Sequence, residues 1–145
     1  MKKIILVLAG IILLVTAWYI YKEYNRKNVD LKTMTPQFTM ESGELIAAFE
    51  KDSASANRKY INKVVLVSGT VKTIDANGNP VVIALGNPGE MSSVLCSMDS
   101  SYAAEYQNIR EGEKISVKGM CIGGETQELF GTDVKMNRCV LTQKN

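Results

Sequence analysis

The chain has 145 residues, 17 of them basic and 15 acidic, with no histidine and three cysteines. A net charge of +2 excludes a polycationic nucleic-acid binder, and the lack of histidine removes the commonest general base and metal ligand. At 46% hydrophobic residues the chain can bury one core.

Lys2 and Lys3 precede an apolar run, Ile4 to Ile20, in which no residue is charged. As a helix this run rises about 25 Å, close to the thickness of a bilayer core. The basic start and Val15-Thr16-Ala17 fit a cleaved signal, whereas continuation through Trp18, Tyr19 and Tyr21 fits a retained anchor with aromatic residues at the membrane boundary. Residues 1–27 are therefore expected to be a signal-anchor or transmembrane segment, with the carboxyl-terminal domain on the extracytoplasmic, periplasmic side. Lys2, Lys3, Lys22, Arg26 and Lys27 stand against Glu23 alone in this flank. The rest of the chain is left slightly acidic, with no excess of positive charge to attract phosphate backbones.

Residues 28–38 are polar, contain Pro36 and read as a linker. Residues 39–61 read as a helical lead-in. Thr39 is its expected cap, Leu45, Ile46 and Phe49 form an apolar stripe, and a shorter helix restarts at Asp52 or Ser53 and runs through Ala56 to Tyr60. Phe49 and Tyr60 are expected to pack on the sheet that follows.

The period changes at Lys63. Val64 to Ile74 is a long β-branched strand interrupted by Gly69, and glycine within a strand marks a bulge or sharp bend. The turn Asp75–Pro80 leads to a strand at Val81–Leu85, and Gly86–Gly89 leads to another at Ser93–Met98. Asp99 caps a short helix carrying Tyr102 and Tyr106, which are expected to plug the barrel floor. Strands at Ile115–Cys121 and Asp133–Leu141 follow, joined by a loop over Ile122–Thr132. Three strands, a helix and two strands is the order of a five-stranded OB-fold barrel, here placed in residues 62–145. The predicted fold is thus mainly β, an OB barrel with a short helix between its third and fourth strands, preceded by a transmembrane helix and one or two soluble helices. The inward set is Val65, Val67, Val71, Val81, Ile83, Leu85, Val94, Cys96, Met98, Ile115, Val117, Val134 and Met136. Val64 and Leu66 face the other way, toward the lead-in helix.

From about Ala56 to Leu141 the sequence also resembles the tRNA-anti-like OB-fold proteins, many of them small exported or membrane-anchored bacterial proteins. The resemblance is carried by Ala56-Asn57-Arg58-Lys59-Tyr60-Ile61-Asn62-Lys63 leading into Val67-Ser68-Gly69-Thr70-Val71. It continues with Cys96, Ile109-x-x-Gly112, Val117-Lys118-Gly119-Met120-Cys121 and the stretch from Asp133-Val134 to Cys139. It implies an OB barrel and no catalytic residue.

Cys96, Cys121 and Cys139 have two readings: three buried free thiols, or one disulfide in an exported domain. Pairing the fourth and fifth strands around the Ile122–Thr132 loop sets Cys121 opposite about Asp133 and Cys139 opposite about Ile115, roughly 20 Å apart. The third and fifth strands are parallel neighbours in an OB barrel, so a bridge would join Cys96 and Cys139. Dispersed cysteines without histidine argue against a metal site, and no cofactor motif is present.

Single-strand readers combine a basic groove with aromatic platforms. The first three strands contain no aromatic residue, and Arg58, Lys59, Lys63 and Lys72 form only a modest basic group. The carboxylates sit at expected turns and caps, and no base stands ready for a serine or cysteine nucleophile. The sequence therefore reads as a membrane-tethered, extracytoplasmic OB-fold binding module without catalysis, whose partner is a protein or other envelope component. The alternative is a weak single-stranded nucleic-acid binder. The candidate partner-binding loop holds Ile122, Gly123, Gly124, Leu129 and Phe130, either displayed at its tip or folded back over the barrel. The Asp75–Pro80 turn is expected to share that surface.

Overall fold

In the computed structural model residues 2–24, 30–127 and 129–144 are described, with backbone alone for residues 2–9, 24 and 144. Helix α1 spans Lys2–Tyr24. Strand β1 (Phe38–Glu41) leads into α2 (Ser42–Lys51) and α3 (Ser53–Tyr60). The barrel strands are β2 (Val64–Asp75), β3 (Val82–Leu85), β4 (Ser93–Met98), β5 (Lys114–Gln127) and β6 (Gly131–Lys144). A 3-10 turn over Ser100–Tyr102 and α4 (Ala103–Tyr106) lie between β4 and β5. Among the described residues, whose side chains begin at Gly10, no helix is long and apolar enough to cross a membrane.

The sheet order is β1-β2-β3-β4-β6-β5, and pairing of β2 with β5 closes five strands into a barrel. β2 makes closure possible by changing partner along its length. Val64–Thr70 pair with β5 and Val71–Asp75 with β3, with a register shift between Val71 and Thr73. Gly69 serves close approach: a Cβ there would stand 2.5 Å from Ser42 Oγ at the start of α2.

The predicted inward residues are buried except Val81, which packs partly exposed against the core. Leu45, Ile46, Phe49 and Tyr60 complete that core from α2 and α3, with the Phe49 and Tyr60 rings 6.2 Å apart.

Four local expectations are corrected. First, Phe38–Glu41 is a strand, not linker and helix cap. Phe38 and Met40 turn toward the core, and the strand runs parallel to β2, Phe38 opposite Val65. The cap of α2 is therefore Glu41, which exchanges hydrogen bonds with Glu44 in a capping box. Second, residues 30–37 dock as a strap. Leu31, 2% exposed, covers Val64 and Val140, so the strap rather than a helix shields Val64. Third, Tyr106 joins the core, but Tyr102 turns to the strap and donates to Asp30 Oδ2 at 2.6 Å. Fourth, β5 and β6 run on through most of the expected Ile122–Thr132 loop, pairing to Gln127 opposite Gly131.

The Tyr102–Asp30 hydrogen bond titrates at both ends. The Tyr102 hydroxyl lowers the Asp30 carboxyl below its ordinary range, and the Asp30 carboxylate pushes Tyr102 up to about 12. Asp30 thus supports the docked strap above the ordinary carboxyl pKa and loses that support as pH falls through its depressed value. Tyr102 supports it below the ordinary phenol pKa of about 10 and loses that support as pH rises through about 12. Phenolate absorbance should show one tyrosine titrating near 12, absent in Tyr102→Phe. A Tyr102→Phe difference spectrum centred near 10 would refute the bond.

Candidate functional site

The structure divides the five residues of the predicted loop between two places. Ile122, Gly123 and Gly124 lie within β5, with Gly123 opposite Lys135 and Gly124 opposite Val134. Here glycine makes room for helices. A Cβ on Gly124 would be 2.5 Å from Phe49 Cδ1, and one on Gly123, at φ 124°, would be 2.9 Å from Asn57 Oδ1. The same Asn57 oxygen accepts from Gly124 N–H at 3.3 Å. With Ile61, Glu125 and Lys135 these residues line an open cavity of about 370 Å³ on the α3 side.

Leu129 and Phe130 remain at the hairpin tip and project outward, 78% and 69% exposed. Phe130 N–H donates to Gln127 O at 3.2 Å, and Gly131 adopts φ 80°. A Cβ on Gly131 would come within 2.8 Å of Ser92 N, so the tip lies directly against the β3–β4 connection. Met91 on that connection is 69% exposed, adding a third large apolar side chain beside the tip.

Hydrogen bonds hold this corner firmly. Ser92 Oγ donates to Glu50 Oε1 (2.7 Å) and accepts from Thr132 N–H (3.0 Å). Thr132, wholly buried, bonds Thr126 Oγ1 at 3.0 Å. Lys72 Nζ donates to Glu90 O (2.5 Å), Ser92 O (3.0 Å) and Ser93 Oγ (2.8 Å). Apolar side chains displayed on an ordered base lose little conformational freedom when a partner covers them. The Met91 contact is not legible in the sequence, because residues 91 and 131 meet only through the parallel pairing of β4 with β6.

The Asp75–Pro80 turn does not share this corner. Asn79 and Pro80 line a different cavity with Ser97–Ser100, Asn137 and Arg138.

Three of the four residues of the basic group make local contacts. Lys72 braces the β3–β4 connection as described, and Arg58 donates to Ser55 Oγ at 3.1 Å. Lys59 Nζ lies 4.9 Å from the Tyr60 ring centroid and 5.6 Å from that of Phe38. Asp52 caps α3 and Asp99 caps the 3-10 turn.

Cys96, Cys121 and Cys139 are buried free thiols. Their expected separation is corrected by the hairpin register. Cys121 stands opposite Met136, three residues from Cys139 along β6, because the strands extend past the expected loop. Cys96 Sγ donates to Val94 O at 3.9 Å, and Cys139 stands opposite Met98, two residues along β4 from Cys96. Burial pushes the Cys139 thiol well above its ordinary range, and the neighbouring Cys96 thiol pushes it further; burial also raises Cys121. Such thiols are poor nucleophiles. Among the described residues no His, Cys, Asp and Glu side chains are grouped to hold a metal ion.

Barrel order and closure define the class, a small OB-fold protein with a helical lead-in. Residues 1–133 match the model of the tRNA_anti-like family, and the chain belongs to that family. No curated protein matches it. Among solved structures it is similar to a candidate nucleic acid-binding lipoprotein from Klebsiella pneumoniae subsp. pneumoniae, at TM-score 0.56 and 13% identity over 81% of this chain and 100% of that one. A candidate aspartyl-tRNA synthetase from Leishmania major Friedlin gives TM-score 0.46 and 12% identity over 78% of this chain and 22% of that one. An OBody bound to hen egg-white lysozyme gives 0.41 and 11% over 57% and 98%. At such identities the first of these likenesses speaks to fold alone.

Proposed function

We propose that this protein is a membrane-tethered OB-fold binding module, exposed on the extracytoplasmic side, that docks a protein or other envelope component through its hairpin tip and performs no chemistry. The observation that carries this reading is the outward display of Leu129, Phe130 and Met91 on a hydrogen-bonded base. Tethering is supported by α1. Ile11–Val15 and Trp18–Tyr21 contain nine large apolar side chains exposed along it. Leaving those side chains in water forfeits about 25 cal/mol per Å². Export is supported by the basic start before the apolar run.

The test is photo-cross-linking in whole cells from a probe at Met91. A discrete adduct is expected, and Phe130→Ala should weaken its formation by about thirtyfold, the loss of some 2 kcal/mol typical of an aromatic anchor. An adduct unchanged by Phe130→Ala would refute docking at the tip. A reporter fused after Asn145 tests the compartment.

The Klebsiella neighbour is described as nucleic acid-binding, which keeps single-stranded nucleic acid as the rival. The lack of aromatic residues in β3 and β4 weighs against it. Filter binding of the full chain to oligonucleotides at moderate salt should show little retention, and tight, salt-sensitive retention would favour the rival.

A further inference from the structure

We infer that the hairpin tip takes a basic, apolar segment of a protein, a short stretch in which lysine or arginine flanks large apolar side chains. This rests on the docking reading above and names the chemistry of its partner.

Leu129, Phe130 and Met91 make the apolar centre of the surface, and carboxylates make its border. Glu90, exposed, precedes Met91, and Glu50 Oε1 accepts from Ser92 Oγ at 2.7 Å. Glu125 and Asp133 face one another across β5 and β6, one step down the hairpin from Thr126 and Thr132. Like charges directly opposite on paired strands are destabilising, so the hairpin keeps these two at some cost to itself. Residues 86–93 and 124–133 together contain Glu90, Glu125, Glu128 and Asp133 and no lysine or arginine. Two ammonium groups reach this corner from outside those segments. Lys72 Nζ is taken up by Glu90 O, Ser92 O and Ser93 Oγ. Lys135 Nζ pairs with Glu125 at 3.2 Å, but both side chains are about half exposed or more, so the pair is screened and readily exchanged. An acidic border repels the phosphates of nucleic acid and of anionic lipid, and it complements lysine or arginine placed around an apolar anchor.

The place of the tip in the fold favours a protein over the host bilayer. Along the parallel pair of β4 and β6, Ser93 faces Asp133 at the tip end and Met98 faces Cys139 at the other. The strap docks at that other end, with Leu31 on Val140 and Asp30 on Tyr102. Thr132 and Val140 are eight positions apart on β6, roughly 26 Å at the rise of a strand. Only residues 25–29 separate α1 from the strap, a reach of at most about 20 Å from Tyr24 to Asp30. A tether that leaves from the strap end presents the tip away from the bilayer that holds α1.

The experiment places the full chain in phosphatidylcholine nanodiscs and reads amide and methionine-methyl NMR shifts. The probes are a short synthetic peptide of lysine and leucine, the same peptide with glutamate for lysine, phosphatidylglycerol vesicles and an oligothymidylate. Saturable shifts at Met91, Leu129 and Phe130 are expected with the lysine peptide alone. The double variant Glu125→Gln, Asp133→Asn removes the facing charges, should keep the fold, and should weaken that binding about tenfold at low salt. Absence of saturation by the lysine peptide, equal binding of the glutamate peptide, tighter binding at the tip by vesicles or oligothymidylate, or full binding by the double variant would each overturn the inference. The whole-cell adduct from Met91 separates this from the docking reading itself. Both Phe130→Ala and the double variant should weaken it. If Phe130→Ala alone does so, the tip still docks a partner but the basic segment is overturned; if neither does, docking falls as well.

Discussion

Phe49→Ala is expected to cost about 3–5 kcal/mol, the range for removing a buried aromatic ring. Stability of a domain this size is about 5–15 kcal/mol, so the loss would be a large share of the total. The ring is fully buried, where α2 lies across the barrel. It packs on Tyr60 and meets β5 at Gly124, where a Cβ would be 2.5 Å from Phe49 Cδ1. The helix can move little into the space, since Ser42 at its start is seated against Gly69 and Glu50 at its end is held by Ser92. Urea unfolding of the full chain in detergent measures the change. A loss under 1 kcal/mol would show that α2 rests on the barrel without contributing to its core. The same contact predicts coupling. Gly124→Ala should destabilise the parent by about 1–3 kcal/mol through overpacking, yet cost little in Phe49→Ala, where the ring it strikes is gone. Additive effects would refute the direct contact.

How far the sequence discloses this fold depends on whether a feature is carried by periodicity or by contact across the chain. The barrel strands are legible because alternation with β-branched residues is local. Val65, Val67 and Val71 declare an inward face in any register, and the interposed turn and helix set the OB order. β1 is hidden because Phe38–Glu41 is four residues long, follows Pro36 and owes its extended form to pairing with Val65–Ser68. Gly123-Gly124 misleads for a related reason. A glycine pair ordinarily signals a turn, but these two thin one face of β5 beneath Asn57 and Phe49. Reading them as a loop ended the strand early, displaced the hairpin register and separated Cys121 from Cys139. In the candidate docking corner, Leu129 and Phe130 can be picked out by eye as apolar residues among polar ones. Met91 cannot, since its place depends on β4 lying parallel to β6. The strap is equally opaque, because one leucine among polar residues does not announce a docking segment.

That strap carries the other large expected effect, for Lys118→Met. Lys118 lies on β5, 8% exposed, and its Nζ donates to Lys32 O at 2.9 Å and Met34 O at 2.8 Å. Methionine keeps most of the apolar stem and removes only the ammonium, so the substitution isolates these two bonds. Hydrogen bonds from a charged donor contribute about 1.5–3 kcal/mol each, and water would satisfy part of what the freed carbonyls lose. A net cost of about 2–4 kcal/mol is expected, concentrated in the strap. Leu31 against Val64 and Val140, Tyr102 on Asp30, and the Lys32–Glu105 ion pair would then have to hold the segment alone. Hydrogen exchange should accelerate across residues 30–37 while β2 and β4 keep their protection. The consequence for function runs through the proposed tethering. Under that proposal, a docked strap fixes where the chain leaves the barrel and so restricts which surfaces the barrel can present. A loosened strap would let the barrel turn more freely and should broaden the set of sites cross-linked from Met91. If exchange rose uniformly across the barrel, Lys118 would belong to the core's own stability rather than to a latch between strap and barrel.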